Sequence, residues 1–137
     1  MYYLTKTFEV PMAHRLSKHK GRCFLLHGHN LLLEVTIKSN ELDDNDMVMD
    51  FSKLKELVNE IISSWDHGLF INETDKECLS EVINSDVHVF DCDPTSEVLC
   101  KFLFKALWSK IQKMNSHIFI ESISIQETKN SKSTYKE

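Results

Sequence analysis

Glycine and proline are scarce, three and two residues in a chain of 137. With no repeat and no low-complexity tract either, so few chain breakers exclude a collagen-like or linker-rich protein. No apolar run approaches the roughly 20 residues that a membrane-spanning helix needs, and "MYYLTKTFEV" has no signal-peptide-like apolar core. Positive charge is not in excess. Sixteen Lys and Arg stand against 21 Asp and Glu, a formal net charge of −5, which excludes a general nucleic-acid binder with a basic face. The four cysteines, Cys23, Cys78, Cys92 and Cys100, form no CxxC pair, so zinc-ribbon and thioredoxin-type motifs are absent. A chain of this length buries a core without disulfides, and the thiols are expected reduced in a cytoplasmic protein.

What is present fits one domain over residues 1–137, with 42% hydrophobic and 27% charged residues. "YYLTKTFEV" reads as a first strand, being rich in aromatic and β-branched residues. "HNLLLEVTIKS" (29–39) reads as a second, with Leu31, Leu33, Val35 and Ile37 on one face. After the turn-forming "NELDDND", Phe51, Leu54, Leu57, Val58, Ile61, Ile62 and Trp65 recur at helical spacing behind Asp50 as N-cap. A second helix is expected with Asp93 as N-cap, Pro94 at its first position, and a stripe of Val98, Leu99, Phe102, Leu103, Ala106, Leu107 and Ile111. "HIFIESISIQET" (117–128) is a third strand, and "KSTYK" a short fourth. Residues 73–92 read as a long acidic connection with "VHVF" as a local strand. The order predicts an α+β fold whose small antiparallel sheet carries two helices on one face, with open edges that favour association with copies of itself.

Chemistry concentrates at "AHRL" and "CFLLHGH". Residues i and i+2 of a strand share a face, so His27 and His29 aim two imidazoles at one point, with small Gly28 between. His14 supplies a third nitrogen if the first two strands pair as a hairpin. A nitrogen-rich, carboxylate-poor set suits Zn2+, and three ligands leave the fourth position that catalytic zinc keeps open. Cys23 fits two roles: a fourth ligand that closes the site, or a base activated by a partner. "WDHG" offers Asp66 and His67 as such a partner, although locally the two also read as a polar helix end. Glu127 continues the apolar face of Ile123 and Ile125; it either reaches solvent or presents two oxygens to a guanidine-like edge. Arg15, Lys18, His19, Lys20 and Arg22 form a basic loop, either simply solvated or suited to a phosphorylated substrate.

Together "AHRL", "CFLLHGHN", "MVMDFSKLK", "WDHG", "DPTSEVLCKFLF", "IQET" and Tyr135 resemble the 6-pyruvoyl-tetrahydropterin synthase family over most of the chain. The spacing from Cys23 to His27 resembles the branch that forms 6-carboxytetrahydropterin in queuosine biosynthesis. The resemblance implies a T-fold, a barrel closed by three subunits, two trimers in a hexamer, and sites between subunits. It implies zinc on His14, His27 and His29, Cys23 as proton acceptor, and Asp66 and His67 as its relay. It implies that Glu127 holds the pterin, with Thr95 and Glu97 nearby. The implied reaction converts 7,8-dihydroneopterin triphosphate to 6-carboxy-5,6,7,8-tetrahydropterin with release of acetaldehyde and triphosphate. Two departures from the family pattern are Asp93, where asparagine is common, and Asp46, where a turn glycine is common.

Overall fold

The computed structural model describes residues 1–82 and 86–137. Two long strands, β1 (Tyr2–His14) and β2 (His27–Ser39), pair antiparallel along their whole length, from Tyr2 opposite Ser39 to His14 opposite His27. Helix α1 (Phe51–Ile62) follows, then strand β3 (Gly68–Asn72), a short helix α2 (Lys76–Glu81), strand β4 (Val87–Phe90), the long helix α3 (Ser96–Met114), and strands β5 (Phe119–Thr128) and β6 (Ser131–Tyr135). They form one six-stranded sheet in the order β4-β3-β1-β2-β5-β6.

The expected antiparallel body is β1-β2-β5-β6. One edge is extended by β3 and β4, which run parallel to β1 and to each other. β3 was not anticipated, because "GLFIN" is buried throughout and carries no alternation. The connection at 73–92 holds α2 as well as the expected "VHVF" strand; its residues 83–85 lie outside the described residues. Six helical residues are too few for a periodic signal.

Leu31, Leu33, Val35 and Ile37 of β2 are at most 1% exposed and face α1 and α3 across the core. Each such side chain contributes about 1.5–3 kcal/mol on burial, so a one-residue slip that turned the row outward is strongly disfavoured. From α1 the core takes Leu54, Leu57, Val58 and Ile62, and Trp65 just beyond it, but Phe51 is exposed and lies under the Lys6 ammonium. α3 buries Leu99, Leu103, Leu107 and Ile111 as expected; Phe102 turns outward, and Cys100 and Phe104 are buried instead. Asp46 has φ 62, a left-handed conformation that explains the preference for glycine there.

Asp50 caps α1 as expected, accepting from Ser52 N. The cap expected at Asp93 is corrected: Thr95 caps α3, its hydroxyl accepting from Val98 N at 3.3 Å. Asp93 is committed elsewhere. Its oxygens accept from Ser17 Oγ at 2.6 Å, Lys18 N at 2.8 Å and Asn72 Nδ2 at 2.9 Å. Burial alone would raise its pKa, but these donors favour the carboxylate and the net shift is downward. Pro94 therefore precedes the helix, and its carbonyl is left for a different partner.

Candidate metal centre and adjoining pocket

The inward rows of three strands change from apolar to polar at the same end of the sheet. In β1 the row Val10, Met12 ends on His14; in β2 the row of Leu33 and Leu31 runs back to His29 and His27; in β5 Ile123 and Ile125 are followed by Glu127. Hairpin register puts His14 directly opposite His27. The potential ligand atoms of His14, His27 and His29 all lie within 4.8 Å of one another. Gly28 permits this approach, because a Cβ there would stand 3.0 Å from Met12 O.

Backbone carbonyls set the tautomers. His14 Nδ1 lies 2.9 Å from Pro94 O and His27 Nδ1 lies 2.6 Å from Leu25 O. A carbonyl only accepts, so each Nδ1 carries a proton, and each Nε2 is the nitrogen turned toward the cluster. The two Nε2 atoms face each other at 2.9 Å. With both rings neutral, two lone pairs at that distance repel unless a proton or a metal cation is shared between them. His14 is 1% exposed, and burial, with a further contribution from the two neighbouring imidazoles, lowers its pKa to about 4 despite the Pro94 carbonyl. It is a neutral donor at pH 7. By donor chemistry, tautomer and convergence, the three residues fit a divalent metal.

Glu127 Oε1 stands 3.9 Å from His14 Nε2, at the rim of the cluster. It also lines a cavity of about 490 Å³ together with Thr95, Glu97, Ser131 and Lys132, a size suited to a small ligand. The three residues expected near a pterin thus line one cavity. A second cavity, about 520 Å³, brings His29 and His67 together.

His67 Nδ1 is 2.5 Å from Asp66 Oδ1, so the expected pair exists. His67 has φ 59, and its N–H donates to Pro11 O at 2.7 Å. A non-glycine residue in this conformation is strained, and the contact to β1 holds it there. Its side chain is 85% exposed. Cys23 sits in a 3-10 turn, Arg22–Phe24, and is half-buried. Among the described residues its thiol makes no hydrogen bond to Asp66 or His67, and it lines neither cavity.

Arg15 leaves the basic loop, read as either solvated or suited to a phosphorylated substrate. Its Nε is 3.0 Å from Asp75 Oδ2 and its Nη2 3.3 Å from Glu77 Oε2, with the guanidinium 4.5 Å from the Phe24 ring centre. The Asp75 approach misses hydrogen-bonding angles, so Arg15 Nε and Asp75 Oδ2 meet as a buried ion pair. The Pro94 and Leu25 carbonyls that hold His14 and His27 are not legible in the sequence. No side-chain signal reveals them.

The family model for 6-pyruvoyl tetrahydropterin synthase matches residues 3–137. The 6-carboxy-5,6,7,8-tetrahydropterin synthase of Rickettsia typhi is 31% identical over 134 residues, covering 95% of this chain and 96% of its own. The enzyme of the same name from Haemophilus influenzae is 32% identical over 146 residues, covering 100% of both. Among solved structures, 6-pyruvoyl tetrahydropterin synthase of Caenorhabditis elegans superposes with a TM-score of 0.75 at 26% identity, covering 99% of this chain and 95% of that one. With its whole length matched and its histidines converging as described, the chain belongs to the 6-pyruvoyl tetrahydropterin synthase family, as a lyase-type enzyme similar to the 6-carboxytetrahydropterin synthases.

Proposed function

We propose that this protein is a zinc-dependent lyase that converts 7,8-dihydroneopterin triphosphate to 6-carboxy-5,6,7,8-tetrahydropterin, releasing acetaldehyde and triphosphate, on the route to queuosine. Atom balance requires one water. The observation that carries the reading is the triad of imidazoles within 4.8 Å, with Glu127 3.9 Å from His14 and facing the cavity of Thr95 and Glu97.

His14, His27 and His29 would hold the zinc, whose chemistry when bound is Lewis-acid polarisation of substrate oxygens. The Glu127 carboxylate accepts two parallel N–H bonds from the guanidine-like edge of the pterin and so orients the ring beside the histidines. Thr95 fixes the cavity wall through its helix cap, and Glu97 adds an acceptor at the rim. Cys23 takes the proton from the side-chain carbon. Asp66 orients His67, which takes that proton from the resulting thiol and so restores the thiolate. The lack of a hydrogen bond between the Cys23 thiol and the Asp66–His67 pair among the described residues, and the exposure of His67, support sites completed by a second copy; the family resemblance adds a hexamer of two trimers. Among the described residues the sheet's outer strands β4 and β6 each pair on one side only, which supports association between copies.

Incubating zinc-loaded protein with 7,8-dihydroneopterin triphosphate should yield acetaldehyde and 6-carboxytetrahydropterin in equal amounts; absence of acetaldehyde sinks the reading. A pyruvoyl pterin with all carbons retained would establish the second reading, which the likeness to the nematode enzyme favours. Cys23→Ala should keep zinc and lose turnover by about 100-fold or more.

A further inference from the structure

We propose that Arg15 is a positioning residue for Cys23, acting through the ring of Phe24. The inference rests on the reading of Cys23 as proton acceptor.

Residues 15–26 cross from β1 to β2 with only the single turn Arg22–Phe24 as regular structure. A thiol on such a loop works only if the loop is tethered, because a misplacement of about 1 Å costs on the order of 100-fold in rate. Two tethers bracket Cys23. Leu16 N donates to Cys23 O at 3.0 Å, and the Arg15 guanidinium lies against the face of Phe24, the next residue.

Arg15 is itself held on its far side. Asp75, 3% exposed and the cap of α2, pairs with its Nε, and Glu77 from the first turn of α2 pairs with Nη2. Arg15 also follows His14 directly, and its N–H donates to Phe70 O of β3 at 3.4 Å. The side chain thus joins the β3–α2 edge of the sheet to the residue beside the thiol, one peptide unit from a proposed metal ligand. The planar guanidinium matters, because it stacks on Phe24 while its edge meets two carboxylates; an ammonium does not do both. This accounts for a cation beside the site whose guanidinium is engaged by two carboxylates and a ring.

Phe24→Leu is the decisive variant. Phe24 is 41% exposed, so its replacement removes the stacking face without leaving Asp75 unpaired. Turnover number should fall about 10-fold or more, with KM for dihydroneopterin triphosphate within about twofold of wild type. Zinc content, melting temperature and assembly size should be unchanged. Alkylation of Cys23 by iodoacetamide, followed on its own peptide by mass spectrometry, should change at least about threefold in rate. Arg15→Lys should reproduce both effects, because retained charge does not replace the flat face. Wild-type turnover together with wild-type alkylation in Phe24→Leu overturns the proposal. So does a loss of zinc, thermal stability or assembly, which would make the contact merely structural. Cys23→Ala measured in parallel separates the two ideas. If it turns over normally, the proton-acceptor assignment fails, whereas the alkylation rates still decide whether Arg15 places the thiol.

Discussion

His14 and His27 sit directly opposite each other in the β1–β2 ladder, and their Nε2 atoms approach to 2.9 Å although each ring already donates its Nδ1 proton to a carbonyl. Hairpin register builds this approach into the fold, and a metal cation between two neutral rings would relieve the repulsion of their lone pairs. Binding to the native state alone stabilises it by about 2.7 kcal/mol at a free concentration 100 times Kd. Zinc should therefore raise the melting temperature by about 8 °C at this chain length. His14→Ala should abolish the shift. Scanning calorimetry with and without zinc checks both, and an undiminished shift in the variant removes His14 from the ligand set.

Gly28 is the spacer that lets its two neighbours converge. A Cβ at this position meets Met12 O at 3.0 Å, and backbone cannot yield as a flexible side chain does. Gly28→Ala should cost about 1–3 kcal/mol by forcing the strands apart. It should also weaken zinc binding, since both histidines ride on the same strand. Urea unfolding and a competitive zinc titration measure the two effects.

His67 allows the cost of backbone strain to be separated from the loss of an imidazole. At φ 59 an alanine keeps the steric penalty and a glycine escapes it. His67→Gly should be more stable than His67→Ala by about 1 kcal/mol, with both equally depleted in turnover. Equal denaturation midpoints would mean that the left-handed conformation is not retained in the variants.

Glu121 links three strands, accepting from Lys38 Nζ of β2 at 2.7 Å and from Lys136 Nζ, just past β6, at 2.9 Å. The bond from Lys38, then that from Lys136, lowers its pKa from 4.5 to about 2. Because the folded value lies below the unfolded one, the linked stability is fully present above pH 4.5 and is lost as pH falls toward about 2. Glu121→Gln should destabilise the protein at pH 7 and much less at pH 2. Urea midpoints at the two pH values give the comparison, and an equal difference at both refutes the linkage.

Much of this site was legible without coordinates. Period-two spacing placed His27 and His29 on the face of Leu31 and Leu33, and the same rule placed Glu127 with Ile123 and Ile125, because strand geometry alone decides which side chains share a face. Asp50 declared its cap for the same local reason. Three features were decided only by tertiary structure. Asp93 caps nothing, since Ser17, Lys18 and Asn72 reach its oxygens first; Arg15 is drawn from solvent by an ion pair with a residue 60 positions later; and β3 finds its place beside β1. Local chemistry lists what a side chain is able to do, but distant segments compete for its few bonding directions. Backbone carbonyls are alike in every residue, so only the folded chain brings Pro94 to His14 across 80 positions, whereas Leu25 serves His27 from two residues away.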